Sequence, residues 1–236
     1  MKYNDYRSYS TFRTGHHAVN GWIMEHHDGD IDYVTRTAQD IPMSEVLVCW
    51  RRAVRRGCSV FVDFENAVLP DGIFKNKIDN VSRIVNIMTL RDPLNTLASI
   101  IRSNWYGEEL FDKFIYDFMY HAKEFLRETT FLCEPFIAIN YNRWFSDQAY
   151  RIQLGEKLGL CDTCHEPYGI VPRYGGGSSF DGRRHNGRGY NMDVLSRYKQ
   201  YLKHPRFIST VNNQDIQAIS LKVFGMNIQK ILAEAK

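Results

Sequence analysis

Residues 6–23 read YRSYSTFRTGHHAVNGWI, and this stretch decides how the chain is organised. Its first part, Tyr6 to Thr11, contains aromatic and β-branched residues and predicts a strand. Its second part carries apolar residues at helical spacing, namely Ala18, Val19, Trp22 and Ile23. A strand that turns directly into a helix leaves the first helical N–H groups free, so the sequence predicts an anion-binding cradle at this turn.

The turn itself is Phe12-Arg13-Thr14-Gly15-His16-His17. Gly15 lets the backbone approach an anion closely, and Arg13 adds a permanent positive charge. The Walker pattern G-x-x-x-x-G-K-[ST] is absent, which disfavours a generic kinase or ATPase. By itself the motif is equally compatible with an ordinary turn between a strand and a helix.

A second strand-to-helix turn follows the apolar run from Ile84 to Leu90, which predicts a buried parallel strand. Asp92 is a suitable N-cap and Pro93 a suitable first helical residue. Arg91 lies at the edge of the sheet where open α/β folds bind ligands, and Ser99 follows it by eight positions. The alternative is that Arg91 pairs with Asp92 or Glu108 and that Ser99 only packs.

Taken together, these motifs resemble sulfotransferases that use 3′-phosphoadenosine-5′-phosphosulfate (PAPS). Arg13-Thr14-Gly15 resembles the family's loop around the 5′-phosphosulfate, and Arg91 with Ser99 resembles its grip on the 3′-phosphate. The resemblance covers about residues 6–225 in family order. Two further segments belong to it, the run from Ile137 to Leu160 and the turn GGGSSF at 175–180.

The chain also departs from the family pattern. His16 and His17 replace the usual small hydroxyl residues, and Asn142 stands where an acid is common. A neutral imidazole N–H can still donate to an anion, so these positions remain in the predicted contact set.

The resemblance implies an α/β fold of three layers, α/β/α, with a central parallel sheet of the P-loop nucleotide-hydrolase type. It implies one domain over residues 1–236, with a Gly-rich active-site loop at about 166–190 and a helical part at 191–236. The implied contacts to PAPS, or to the product 3′-phosphoadenosine-5′-phosphate (PAP), come from Arg13, Thr14, Gly15, His16, His17, Ala18, Arg91, Ser99, Ser178, Ser179, Phe180, Arg183 and Arg184.

The implied reaction moves a sulfuryl group from PAPS to a hydroxyl or amine of an unidentified small-molecule or carbohydrate acceptor. It requires no metal, and no metal ligand is predicted. Arg13 would stabilise the leaving phosphate, and Glu65 is the preferred base because it follows a predicted strand at 59–64. Asp63, His16 and His17 are rival candidates for the base. Another P-loop kinase or transferase, or a non-catalytic relative, remains possible.

Composition narrows the class of protein further. The 236 residues are 44% hydrophobic and carry a net charge of only +3, which demands neither nucleic acid nor an anionic membrane as partner. No signal peptide or membrane-spanning run is visible, so a cytoplasmic location and reduced cysteines are expected. Cys161-Asp162-Thr163-Cys164-His165 matches a haem-attachment pattern and half of a zinc site, but no second cysteine pair accompanies it. Oligomeric state is not predicted.

The rest of the chain predicts further helices and a loop. A helix is predicted from Met43 to Arg56, and the apolar stripe from Leu110 to Leu126 predicts the clearest helix of the chain. Residues 28–32 are expected to be a polar loop. Two C-terminal helices are expected at roughly Met192 to Lys203 and Asp215 to Phe224.

Overall fold

A computed structural model gives the fold and describes residues 3–37, 43–65, 81–103, 109–132, 135–161, 165–171 and 177–234. Several residues named in the sequence analysis lie outside these ranges, namely Glu108, Cys164, Gly175 and Gly176.

Five strands form one sheet in which all neighbouring strands are parallel. In chain order they are β1 Tyr3–Ser10, β2 Ile31–Thr37, β3 Ser59–Glu65, β4 Val81–Leu90 and β5 Phe136–Asn140. The order across the sheet is β2-β3-β1-β4-β5, which places the strand before the predicted cradle at the centre. The predicted α/β class and parallel sheet are therefore confirmed.

Helices connect the strands and follow the last one. They are α1 His16–Glu25, α2 Met43–Arg56, α3 Pro93–Ser103, α4 Glu109–Phe125, α5 Tyr141–Ser146, α6 Gln148–Leu158, α7 Pro205–Val211, α8 Gln214–Phe224 and α9 Ile228–Glu234. Two short 3-10 helices cover Gly189–Asn191 and Arg197–Tyr201. Within the described residues, no helix is both long and apolar enough to cross a membrane.

Helices cover both faces of the sheet because alternate residues of each strand point to opposite sides. Tyr6 and Phe61 pack with α1, α5 and α6 on one face. Tyr9 and Val62 pack with α2 on the other. A further apolar cluster joins α3 and α4 to the three C-terminal helices. Both predicted ends of α2 match the structure, and so does the predicted C-terminal end of α8.

The strand register brings the carboxyl ends of the three central strands together. Ser10 of β1 lies opposite Glu65 of β3 on one side and Thr89 of β4 on the other. The two predicted turns, after β1 and after β4, therefore open at the same edge of the sheet. This is the edge at which parallel α/β sheets bind ligands.

Two segments differ from the prediction. β2 includes Ile31 and Asp32, which were expected to belong to a polar loop, and it forms the edge of the sheet beside β3. The helix predicted for Met192 to Lys203 is wrong, since only Arg197–Tyr201 is helical and that is a 3-10 helix. Here two backbone groups bond to a side chain of α3, since Asn95 donates to the Leu195 carbonyl and accepts from the Tyr198 amide.

Candidate functional site

The turn between β1 and α1 has the backbone of an anion cradle. Gly15 is the N-cap of α1 with φ +79°, and no side chain caps this helix start. A Cβ at Gly15 would lie 2.5 Å from Cε2 of Tyr141. Arg13 also has a positive φ, 61°, which a residue with a side chain adopts at a cost of about 1–2 kcal/mol. The turn is therefore strained and tightly packed, and the helix that follows it starts without a side-chain cap.

Arg91 holds this turn in place from the β4 side. Its Nη1 donates to the Arg13 carbonyl at 3.3 Å, and its Nη2 donates to the Val194 carbonyl. The guanidinium lies over the Tyr141 ring, 5.0 Å from the centroid. Arg91 is buried and its Nε has no hydrogen-bond partner among the described residues. An anion could therefore be bound by Nε or in exchange for one of the two carbonyls.

The start of α3, beside Arg91, has the predicted cap. The Asp92 carboxylate accepts from the Asn95 amide N–H at 2.7 Å and from Asn95 Nδ2, and Pro93 is the first helical residue. The Thr96 hydroxyl donates to the Asp92 carbonyl at 2.8 Å. Ser99 is buried two turns along the helix. The polar groups at this helix start are thus largely occupied by one another.

A cluster of titratable side chains lies on the other side of the cradle. His16 Nε2 is 3.2 Å from Oδ2 of Asp63 and 3.8 Å from Oε1 of Glu65. His17 Nδ1 is 3.3 Å from the same Asp63 oxygen. Tyr33, on β2, donates to it at 2.8 Å. Asp63 is fully buried, whereas Glu65 remains partly accessible at the end of β3.

The charges in this cluster shift the pKa values of its members in different directions. Burial alone would lower the pKa of His16, but the carboxylates of Asp63 and Glu65 outweigh it and raise the pKa to about 9. The pKa of His17 is lowered by burial and by the neighbouring His16 charge. Burial would raise the pKa of Asp63, yet His16 reverses this and holds it well below its usual range. In the absence of any ligand the arrangement therefore favours a charged His16 and a neutral His17.

The Gly-rich loop is tied to the site by Arg197, a residue that the sequence analysis did not select. Arg197 is buried, and its Nη2 donates to Asp181 at 2.7 Å and to Ser178 at 3.0 Å. Its guanidinium lies over the Phe180 ring at 4.7 Å. Arg91 is close enough to lower the pKa of Arg197, after the larger effect of burial. The charges of Arg91 and Arg197 therefore act on each other.

Arg183 and Arg184, which were predicted to reach the 3′-phosphate, are exposed. Ser179 is half-buried and follows Ser178, which forms an antiparallel β-bridge with Gly182. Arg197, by contrast, is buried, and the charge of Arg91 affects its pKa.

Several buried hydroxyl groups line the same sheet edge without hydrogen-bond partners among the described residues. They belong to Ser10, Thr11 and Thr89. Ser10 and Thr89 are register neighbours at the ends of β1 and β4. Buried polar groups are almost always satisfied, so this concentration of open donors and acceptors indicates a place for a polar ligand.

The structure brings most of the predicted site residues to one edge. The cradle from Arg13 to Ala18, the Asp63 and Glu65 carboxylates, and Arg91 meet there. Sequence reasoning missed Tyr33 because β2 was not predicted, and it missed Arg197 because a helix was expected at that position. Trp144 of α5 is buried in the core against Trp22.

Comparison with protein-family models and with curated proteins finds no match for this chain. Its function is therefore inferred from the geometry and chemistry of this site.

Proposed function

We propose that this protein is a sulfotransferase of the P-loop-like type, which transfers a sulfuryl group from PAPS to a hydroxyl or amine of an acceptor. The observation that supports the proposal best is the position of the Gly15 cradle between two unlike groups. On one side Arg91 contacts the cradle backbone, and on the other His16 contacts the carboxylates of Asp63 and Glu65. An anionic donor in the cradle would have fixed positive charge on one side and a base on the other.

The cradle suits the phosphosulfate end of the donor. The uncapped N-terminus of α1 offers N–H groups, and Gly15 allows close approach of an anion. The Arg13 side chain is half-buried at the same turn, where it can face the ligand. In the transfer, the acceptor oxygen or nitrogen bonds to sulfur while the bond from sulfur to the phosphate oxygen breaks. The leaving phosphate gains negative charge, which Arg13 and the N–H groups would stabilise.

The second phosphate of the donor would lie near Arg91. Arg91 and Arg197 are both buried, and the charge of Arg91 lowers the pKa of Arg197, so the two guanidinium groups would together favour an anion at this end of the site. The loop that carries Ser178 and Phe180 would then close this end of the site through its bonds to Arg197.

Glu65 is the proposed base. Asp63 is enclosed by Tyr33 and the two histidines, so it positions these groups and does not reach an acceptor. His16 is buried and holds its proton, which leaves it without the free lone pair that a base requires. Glu65 keeps partial access at the end of β3, and it would take the proton of the acceptor hydroxyl.

Calorimetric binding of PAP, with ATP plus magnesium and adenosine 5′-phosphate as controls, tests the proposal. We expect selective binding of PAP and a loss of tenfold or more in Arg91→Ala, since a charge-assisted contact contributes about 1.5–3 kcal/mol. Arg52→Ala, an exposed arginine on α2, is the matched control and should bind as the wild type does. Tighter binding of ATP with magnesium than of PAP would contradict the proposal and favour a kinase instead.

Turnover of labelled PAPS with a panel of hydroxyl and amine acceptors tests the catalytic part. Glu65→Gln should lower kcat by about 100-fold or more while leaving PAP affinity nearly unchanged. PAP binding without turnover on any acceptor would favour a non-catalytic nucleotide-binding protein instead.

A further inference from the structure

We propose that His16, His17 and Asp63 form a binding site for a divalent transition-metal ion such as Zn²⁺. The sequence predicted no metal ligands, and the proposal comes from the arrangement of these side chains. It does not rest on the proposed sulfotransferase activity, in which no step uses the ion. The ligand atoms are His16 Nε2, His17 Nδ1 and a carboxylate oxygen of Asp63, all within 4.8 Å of one another.

The hydrogen bonds of Thr14 fix which nitrogen of His16 can bind a cation. The Thr14 hydroxyl donates its proton to the Thr11 carbonyl at 2.9 Å. Its oxygen lies 3.3 Å from His16 Nδ1 and, having used its proton, can only accept there. Nδ1 of His16 therefore carries a hydrogen, and in the neutral ring Nε2 carries the lone pair. Metal-binding histidines are usually held in this way through the other ring nitrogen.

The contact between His16 and Asp63 lacks the geometry of a donor and an acceptor. Nε2 lies 3.2 Å from Oδ2 of Asp63. Even so, this buried nitrogen makes no hydrogen bond of good geometry among the described residues, so a hydrogen on Nε2 would be poorly aligned with the oxygen. Two ligands of one zinc ion, at 2.0–2.2 Å and with bond angles of 90–110°, lie about 2.8–3.6 Å apart. The observed spacing is that of neighbours around a shared ion.

The third ligand and the surrounding groups fit the same ion. His17 Nδ1 lies 3.3 Å from the Asp63 oxygen, again within this range. Tyr33 donates to that oxygen at 2.8 Å and would orient the carboxylate. Glu65 lies 3.8 Å from His16 Nε2 and adds a second negative charge beside the site. Two imidazole nitrogens and a carboxylate are ligands that zinc and its neighbours accept, and three protein ligands leave one position for water or an anionic oxygen.

Zinc binding to the full chain tests the proposal. The protein is freed of metal with a chelator, returned to buffer and titrated with Zn²⁺ by calorimetry, and bound zinc is counted by elemental analysis after dialysis. All variants carry Cys161→Ser and Cys164→Ser, because these cysteines with His165 are a rival ligand set. We expect one zinc ion per chain in this background.

Single substitutions then assign the site. His16→Gln, His17→Gln and Asp63→Asn should each weaken zinc binding by 100-fold or more. His27→Gln lies beyond the opposite end of α1 and should leave binding unchanged. His17 is partly accessible, so His17→Gln is the least disruptive of the three. If His16→Gln or Asp63→Asn does not fold, His17→Gln decides the matter.

Thermal unfolding gives a second readout. Excess Zn²⁺ should raise the Tm of the cysteine-free background and leave that of His17→Gln unmoved, since only a ligand bound to the native state stabilises it. Absence of bound zinc, or zinc binding that survives His17→Gln, would overturn the metal site. Binding of PAP to the metal-free protein tests the proposed function independently, so either proposal can fail without the other.

Discussion

The two strand-to-helix turns at the carboxyl edge of the sheet are built in opposite ways. At the start of α3, Asp92 caps the helix and also binds the side chain of Asn95. At the start of α1 the cap is Gly15, which has no side chain, and Arg13 adopts a left-handed backbone. The α3 start is capped by its own side chains, whereas the α1 start has no side-chain cap. A helix start without a side-chain cap is less stable but suits an external anion, whereas a capped helix start mainly stabilises the fold.

The largest effect is expected from removing the special backbone of the open turn. Gly15→Ala adds a Cβ that would overlap Tyr141 at a position with φ +79°. We expect a loss of about 2–5 kcal/mol in unfolding free energy, combining left-handed strain with overpacking, together with loss of PAP binding. Denaturant unfolding with and without PAP measures both quantities.

Gly29→Ala is the matched control for this substitution. Gly29 also has a positive φ, 96°, but a Cβ there would meet nothing within 4 Å. It should cost only the strain, about 1–2 kcal/mol, and leave PAP binding intact. Equal losses in the two variants would show that the packing of Gly15 against Tyr141 is unimportant.

A comparison of two buried histidines tests how charge partners act in this molecule. His16 has two carboxylates beside it, whereas Nδ1 of His121 on α4 donates to the Asp117 carbonyl at 2.9 Å, and the Glu124 carboxylate has a weaker influence on its pKa. Burial lowers the pKa of His121 to about 4, below its unfolded value near 6.5. Its neutral form therefore stabilises the fold above pH 6.5, and this stabilisation is lost as the pH falls towards 4.

Unfolding free energies of the wild type and His121→Asn between pH 7 and pH 4 measure this effect. The difference between the two should shift in favour of the variant by roughly 3 kcal/mol over that range. Asp5 must be considered in the wild-type curve, because burial raises its pKa to about 6 and its stability trend runs the other way. A constant difference between the two proteins would contradict the buried, neutral state of His121.

Removing the cap of the satisfied turn should have a smaller effect. Asp92→Ala deletes the N-cap of α3 and leaves the buried amide of Asn95 without two of its contacts. We expect a loss of about 1–3 kcal/mol in unfolding free energy. Asn213→Ala removes the cap of α8, whose bond to Asp215 is exposed, and should cost nearer the lower bound. A larger loss at Asn213 would contradict the ranking of the two caps.

The smallest effect is expected from the exposed arginines of the Gly-rich loop. Arg183→Ala with Arg184→Ala should weaken PAP binding less than Arg197→Ala does, because Arg197 is buried near Arg91 and anchors Ser178 and Asp181. Calorimetry on both proteins measures the ratio. A loss of tenfold or more in PAP affinity in the Arg183 and Arg184 variant would show that these residues contact the phosphate after all.

Local signals in the sequence predicted much of the fold. The cap of α3, the bounds of α2 and the strand before each turn follow from residue type and spacing over a few positions. β2 was missed because Asp and Gly residues precede it and suggest a turn, although pairing with β3 makes it a strand. The segment at 192–203 was misjudged because Asn95, about 100 positions earlier, takes up its backbone groups.

Residue pattern alone predicted an α/β chain with two helix starts at one sheet edge, of which the α1 start has a glycine at its N-cap and the α3 start has an aspartate. That much follows from hydrophobic periodicity and from the chemistry of Gly, Asp and Pro, which act over a few bonds. The side chains that meet there were known only once the fold was known: Tyr33 with Asp63, His16 with both carboxylates, and Arg91 with the Arg13 and Val194 carbonyls. These contacts join strands and loops far apart in the chain, and their distances depend on sheet order and register, which local residue preferences do not fix.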